Sequence, residues 1–197
     1  MRRAALGVAF GLLTLCAAAR AVEYDRLLVQ DSRIEFAYRQ MGVPMQGRFA
    51  RFDGQFAFDP QRPQLARAVF EVEVASIDTG LAEANDTAQS RAFFDARNHP
   101  RARFVATSIR PLGADRYEVT GELTIKGRTR VVSAPFAARR DGERLLVSGA
   151  FAIKRLQFGI GEGAWADLSA LADDVEVRFQ LAAASTAAAV NRKGTGK

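Results

Sequence analysis

The run FGIGEGAW, residues 158–165, sets glycines at 159, 161 and 163, a spacing close to that of a phosphate-cradling loop. A dinucleotide fingerprint needs G-x-G-x-x-G directly after a strand and opening a helix whose N-terminal amides face the pyrophosphate. Here the spacing is G-x-G-x-G, and only AWA and the short DLSALADD separate it from a strand-like run at Val175. The glycines read as a connection and not as a nucleotide site. His99, the only histidine, precedes Pro100 and reads as a turn residue. It has no cysteine or second histidine with which to hold zinc, and no local motif places it in a Ser–His–acid arrangement. No catalytic residue, metal or cofactor is assigned.

Three further residues could carry polar chemistry at the edge of an apolar site. Arg155 continues the alternation of Leu145, Val147, Gly149, Phe151 and Ile153. A lone buried charge is costly, so either the strand has reached a rim there, or the guanidinium meets a carboxylate or a ligand headgroup. Asp78 continues the phase of Phe70, Val72, Val74 and Ser76 and is the candidate partner. Trp165 follows the glycines; either it anchors a surface loop, or the loop folds over an open end, since glycine permits tight backbone paths.

The elements that would position these residues are strands. Past residue 21 the dominant pattern is alternation with period two, the signature of a strand with one buried face. RIEFAYR sets Ile34, Phe36 and Tyr38 against Arg33, Glu35 and Arg39, and YEVTGELTIK sets Tyr117, Val119, Gly121, Leu123 and Ile125 against polar neighbours. Similar runs cover roughly 45–59, 65–77, 102–110, 128–139, 144–157 and 174–183, giving eight in all. In the run 45–59 the phase slips between Phe49 and Phe52. One extra residue near Ala50 or Arg51 restores it, as in a β-bulge that bends a long strand; a hairpin turn at Asp53-Gly54 is the alternative. Lys126-Gly127 and Asp141-Gly142 are turn signals. The long connection 79–101 contains LAEANDTAQSRAFFDA, which favours one or two helical turns across the barrel.

Eight antiparallel strands with short hairpins close into an up-and-down barrel, which removes exposed edges. Such a barrel is either filled by side chains or holds one ligand. The inward phase mixes large residues with small ones such as Gly47, Gly54, Gly121 and Gly149; these can interdigitate into a solid core or line an elongated tube. The fold class is therefore all-β, an eight-stranded antiparallel lipocalin-like barrel with a short helical connection. It occupies residues 22–183, between a leader (1–21) and a basic tail (184–197) expected to be disordered.

Arg2 and Arg3 precede an apolar run from Ala4 to Leu15, and Ala19-Arg20-Ala21 follows, the pattern of a secretory signal cut after Ala21 or Ala19. Twelve apolar residues are too few for a membrane span. Cys16 stands where a lipoprotein cysteine could, but bulky Leu15 precedes it, against that motif. Removal of the leader removes Cys16, the only cysteine, and with it disulfide and thiol chemistry. The net charge of +6 resides entirely in Arg2, Arg3, Arg20, Arg192, Lys193 and Lys197. The barrel segment is formally neutral, which argues against a nucleic-acid partner, since phosphate binding needs clustered positive charge.

The blocks DSRIEF, GRFARFDGQFAFDP, VEVASIDTG, FFDARNHPRARF, VTGELTIKGRT and IKRLQFGIGEGAW, in this order, resemble the YceI family of bacterial periplasmic proteins across residues 24–183. The resemblance implies an extended lipocalin-like barrel whose cavity takes a long polyisoprenoid chain, including quinone-type or prenyl-phenol lipids. The expected function is an exported binding protein that sequesters or carries such a lipid, with no transmembrane span in the mature chain and at most transient membrane contact. An enzyme acting on the headgroup and a solid-core interaction module are the alternatives. The expected lining is Phe36, Phe49, Phe56, Phe70, Val72, Val119, Leu123, Phe136, Phe151 and Phe179, with Asp78, Arg155 and Trp165 at the rim or headgroup. Members of the family often carry a histidine where this chain has Gln40, and an Arg-Asp pair where it has Asn85-Asp86; both departures bear on headgroup contacts.

Overall fold

Alternating apolar and polar residues leave each strand one face to bury, and the strands satisfy this by pairing into one antiparallel sheet. The computed structural model describes residues 22–187; the expected leader, including Cys16, and the chain beyond 187 lie outside the described residues. The strands are β1 (Arg26–Leu27), β2 (Arg33–Gln40), β3 (Val43–Phe49), β4 (Phe52–Ala57), β5 (Arg67–Glu73), β6 (Ile77–Asp78), β7 (Arg101–Gly113), β8 (Arg116–Ile125), β9 (Arg128–Asp141), β10 (Arg144–Lys154) and β11 (Asp174–Ala184), with helix α1 at Ala82–Gln89. Hydrogen-bonded neighbours run β4-β5-β7-β8-β9-β10-β11-β2-β3-β6. The first strand of that order, β4, is the direct continuation of β3 near its far end. The sheet must therefore curl back on itself, and a barrel-like fold follows from connectivity alone.

The bend at β3–β4 is the phase slip read from the sequence. Ala50 and Arg51 stand outside both strands; β3 pairs with β2, whereas β4 pairs with β5. Asp53 and Gly54 lie within β4 and form no hairpin turn. Buried Ser76 pins the break: its hydroxyl accepts from the Arg51 amide and donates to the Glu73 carbonyl, and the Ala50 amide donates to the Ser76 carbonyl. Beyond β4, Phe58 forms a bridge with Tyr24, and the adjoining β1 pairs with the end of β11, so the N-terminal segment spans the seam. β11 continues through Ala184 and Ser185 is buried, so the boundary drawn at residue 183 falls inside ordered chain.

The interior divides into two regimes. At the end holding β1, Tyr24, Phe58, Tyr117 and Phe136 are buried and interlock, with Phe58 edge-on to Tyr117 at 5.1 Å and Tyr117 stacked on Phe136 at 5.3 Å. This cluster, with Leu145 and Leu181, is a solid floor. Towards the other end the inward rings of Phe36, Phe49 and Phe151 are only half-buried; Phe36 and Phe49 meet at 5.4 Å, and all three border open space. Filled barrel and tube, the two interiors compatible with the sequence, occupy different ends of one molecule.

Candidate functional site: an apolar cavity with a built mouth

The space is an elongated cavity in two chambers. The upper, about 380 Å³, lies beneath α1 and the β10–β11 connection. The lower, about 130 Å³, extends towards the floor. Ile34, Val72, Ala102, Leu123, Phe151 and Val177 line both and form the passage between them. Of the ten residues expected to line a cavity, Phe36 and Phe49 face the upper chamber and Val72, Leu123 and Phe151 the passage. Phe56, Phe70, Val119, Phe136 and Phe179 face the lower one. Period two suffices for this, because successive inward residues of a barrel strand share one face.

The sequence reading missed the residues that roof the upper chamber. Ala84 and Ala88 of α1, then Phe93 and Phe94, close it from above, and Phe94 meets Phe49 edge-on at 6.1 Å. The available signal was the adjacent Phe93-Phe94 pair in an otherwise polar, alanine-rich connection. Exposed Glu83 and Thr87 stand beside Gln40 and Thr79 at the mouth. Tyr38 also lines this chamber, and burial raises its phenol pKa. Polar groups thus gather at the mouth, while the lower chamber is apolar except for Arg103.

Arg155 is the organising residue of the mouth. β10 ends at Lys154 and Arg155 opens a turn of 3-10 helix; it is 1% exposed, so it stands at no open rim, and the anticipated pairing with Asp78 is absent. The guanidinium donates from Nε to the Ala172 carbonyl, from Nη1 to Ile160 and Gly161, and from Nη2 to Trp165 and Leu171, at 2.7–3.0 Å. Every N–H of the group is satisfied by backbone of the loop it gathers. Burial lowers the Arg155 pKa and the Asp173 charge opposes that shift.

Asp78 lies elsewhere because the turn of 3-10 helix at Val74–Ser76 resets the strand phase. It faces outward, accepting from Arg48 Nη2 at 2.9 Å and from the Gly80 amide; these two contacts lower its pKa. Asp78 does not line the cavity. His99 is in the connecting segment before β7, its amide bonded to the Asp95 carbonyl, consistent with a turn residue.

Two of the three glycines of the run lie against arginines. Gly159, Gly161 and Gly163 all have positive φ, near 70°, where a side chain is strained. A Cβ on Gly159 would stand 2.6 Å from the Arg128 guanidinium carbon, and one on Gly161 would strike Arg155 Nη1. The loop wraps both guanidiniums at backbone distance. Lys126 Nζ donates to the Gly159 carbonyl at 2.6 Å, and Lys126 and Arg128 both pair with Glu162. So held, the loop carries Trp165 over the chamber, edge-on to Phe93 at 5.4 Å.

A family model described as a YceI-like domain matches residues 26–183. The chain belongs to the YceI family. A UPF0312 protein of Vibrio cholerae is 30% identical over 187 residues, covering 87% of this chain and 96% of the relative, and one of Azotobacter vinelandii is 29% identical, covering 74% and 81%. Among solved structures, Burkholderia cenocepacia BcnA superposes with a TM-score of 0.77 at 36% identity, over 79% of this chain and 98% of that one. A polyisoprenoid binding domain from Saccharophagus degradans superposes at 0.64 with 16% identity, over 84% and 99%, a likeness of fold alone. Within this YceI-like barrel the departures from the family pattern have structural places. Gln40 lines the mouth and forms a bridge with Leu171, and the Asn85 side-chain oxygen accepts from both the amide and the hydroxyl of Thr79 at 2.8 Å, tying α1 to the residue that follows β6.

Proposed function

We propose that this protein is an exported binding protein, working in the periplasm, that sequesters or carries a long-chain polyisoprenoid or isoprenoid quinone. One observation carries the reading: an apolar cavity of two connected chambers, with most of its polar lining beside α1 in the upper one. A prenyl chain gains from burial at roughly 25 cal/mol per Å² before the costs of binding are subtracted, while a headgroup at the mouth keeps access to Gln40, Thr79, Glu83 and Tyr38. The polyisoprenoid-binding relative of the same fold supports the ligand class, and the leader pattern supports export. A binding role is supported by the engagement of two polar groups near the mouth, since Arg155 spends its donors on backbone and Asn85 is held by Thr79.

The test is native mass spectrometry of the mature protein purified without detergent from its own periplasm, followed by extraction and identification of released lipid. A stoichiometric isoprenoid adduct is expected. Phe151→Asp puts a charge at the passage between the chambers, so the folded variant should lose the adduct. A wild-type protein that stays free of lipid after incubation with ubiquinone and prenyl alcohols would overturn the reading.

A further inference from the structure

Four glycines on the inward face meet four phenylalanine rings of the neighbouring strand. Gly47 on β3 lies opposite Phe36, Gly54 on β4 opposite Phe70, and Gly149 on β10 opposite Phe179; Gly121 on β8 is diagonal to Phe104. A Cβ added to Gly121 or Gly149 would stand 2.5 Å from the ring tip of Phe104 or Phe179, and one added to Gly47 or Gly54 would strike Phe36 or Phe70. Each ring occupies the place of the missing side chain. It lies along the wall instead of pointing across the bore. Glycine weakens a strand and an overlying aromatic compensates, but a barrel needing only stability could place alanine or valine at these positions and let the rings meet centrally as a filled core. Phe70, Phe104 and Phe179 line the lower chamber, so three of the pairs belong to its wall.

We infer that these Phe-over-Gly pairs are a length gauge for the ligand: the glycines keep the lower chamber open, and the rings with the floor beneath them fix how long a prenyl chain can be fully buried. The inference rests on the prenyl-binding reading and adds the residues that set its selectivity. Gly54 is the position to change. Beyond the Phe70 ring, the nearest backbone atom to an added methyl is the Val69 carbonyl oxygen at 2.9 Å, which a small strand shift relieves, whereas Gly121 and Gly149 have backbone oxygens at 2.5 and 2.6 Å. In Gly54→Ala the Phe70 ring must swing into the chamber; in Phe70→Leu the ring is gone and the glycine remains.

The experiment compares the affinities of farnesol, geranylgeraniol and solanesol for wild type, Gly54→Ala and Phe70→Leu, with thermal unfolding as the control for folding and a crystal structure of Gly54→Ala. Gly54→Ala should weaken solanesol by at least about tenfold, equivalent to roughly 1.4 kcal/mol, and change farnesol by less than about twofold, with Phe70 seen in the lower chamber. Phe70→Leu should leave solanesol binding intact or tighter. Equal weakening of all three alcohols, or an unchanged length profile with the ring displaced, would overturn the gauge while leaving prenyl binding in place. Failure of wild type to bind any of them would remove the reading beneath it as well.

Discussion

Arg155 shows how far a single residue can be read from its neighbours. The alternation of β10, which ends one residue earlier, points it inward, and the cost of a buried charge demands partners. The partners were the unknowable part, because five carbonyls from residues 160–172 carry no sequence signature. Removing the guanidinium would strand those oxygens, each unsatisfied buried acceptor costing about 1–3 kcal/mol. Arg155→Met should therefore lower the unfolding free energy by at least about 3 kcal/mol in urea titration, and Arg155→Lys should recover only part of it, since an ammonium has three donors and no planar fork. Glu162 gives a pH-dependent prediction. Hydrogen bonds from Lys126 and then Arg128 hold its carboxyl below the ordinary value of 4.5. Its contribution to holding the loop is present above that value and is lost as pH falls through the lowered one. Amide exchange at 159–163, corrected for intrinsic rates, should accelerate in that acid range, and Glu162→Gln should remove the pH dependence.

At the scale of elements, strands were legible and their irregularities were legible only in part. The slip between Phe49 and Phe52 announced the β3–β4 break, because one extra residue inverts every later side chain. The turn at Val74–Ser76 gave no such notice: Val74, Ser76 and Ile77 are all buried, so the apolar pattern runs on while the backbone leaves the strand, and Asp78 was placed inward in error. The mouth is made of the two elements with the weakest periodicity, α1 with its following turn and the 155–173 connection. Their contact makes a measurable prediction. Trp165, the only tryptophan, lines the upper chamber against Phe93. Titration with a prenyl alcohol should shift or quench its emission saturably, and Phe93→Ser should alter the unliganded spectrum. Gly161→Ala, strained at φ 73° and driven against Arg155, should loosen the same loop and raise the rate of ligand release more than it changes the melting temperature.

Across the whole molecule, floor and cavity divide stability from binding. Phe58, 1% exposed among Tyr24, Tyr117 and Phe136, fills the closed end. Phe58→Ala should cost about 3–5 kcal/mol in denaturant unfolding, the usual range for a buried Phe, and in the fraction that stays folded the lipid stoichiometry seen by native mass spectrometry should persist. Phe151→Asp should show the opposite balance. The eight long runs of alternation, most of their inward faces and an apolar interior were determined by the sequence by itself, because period two is a local property of each strand; the break of one run into β3 and β4 and the two-residue strands β1 and β6 raise the count to eleven. Whether that interior is packed or hollow was decided only by the tertiary structure. Packing depends on cross-strand register, which sets Phe36 over Gly47 and Phe70 over Gly54 instead of into the bore, and on the Tyr24 segment returning to seal one end; neither relation is expressed between residues adjacent in the chain.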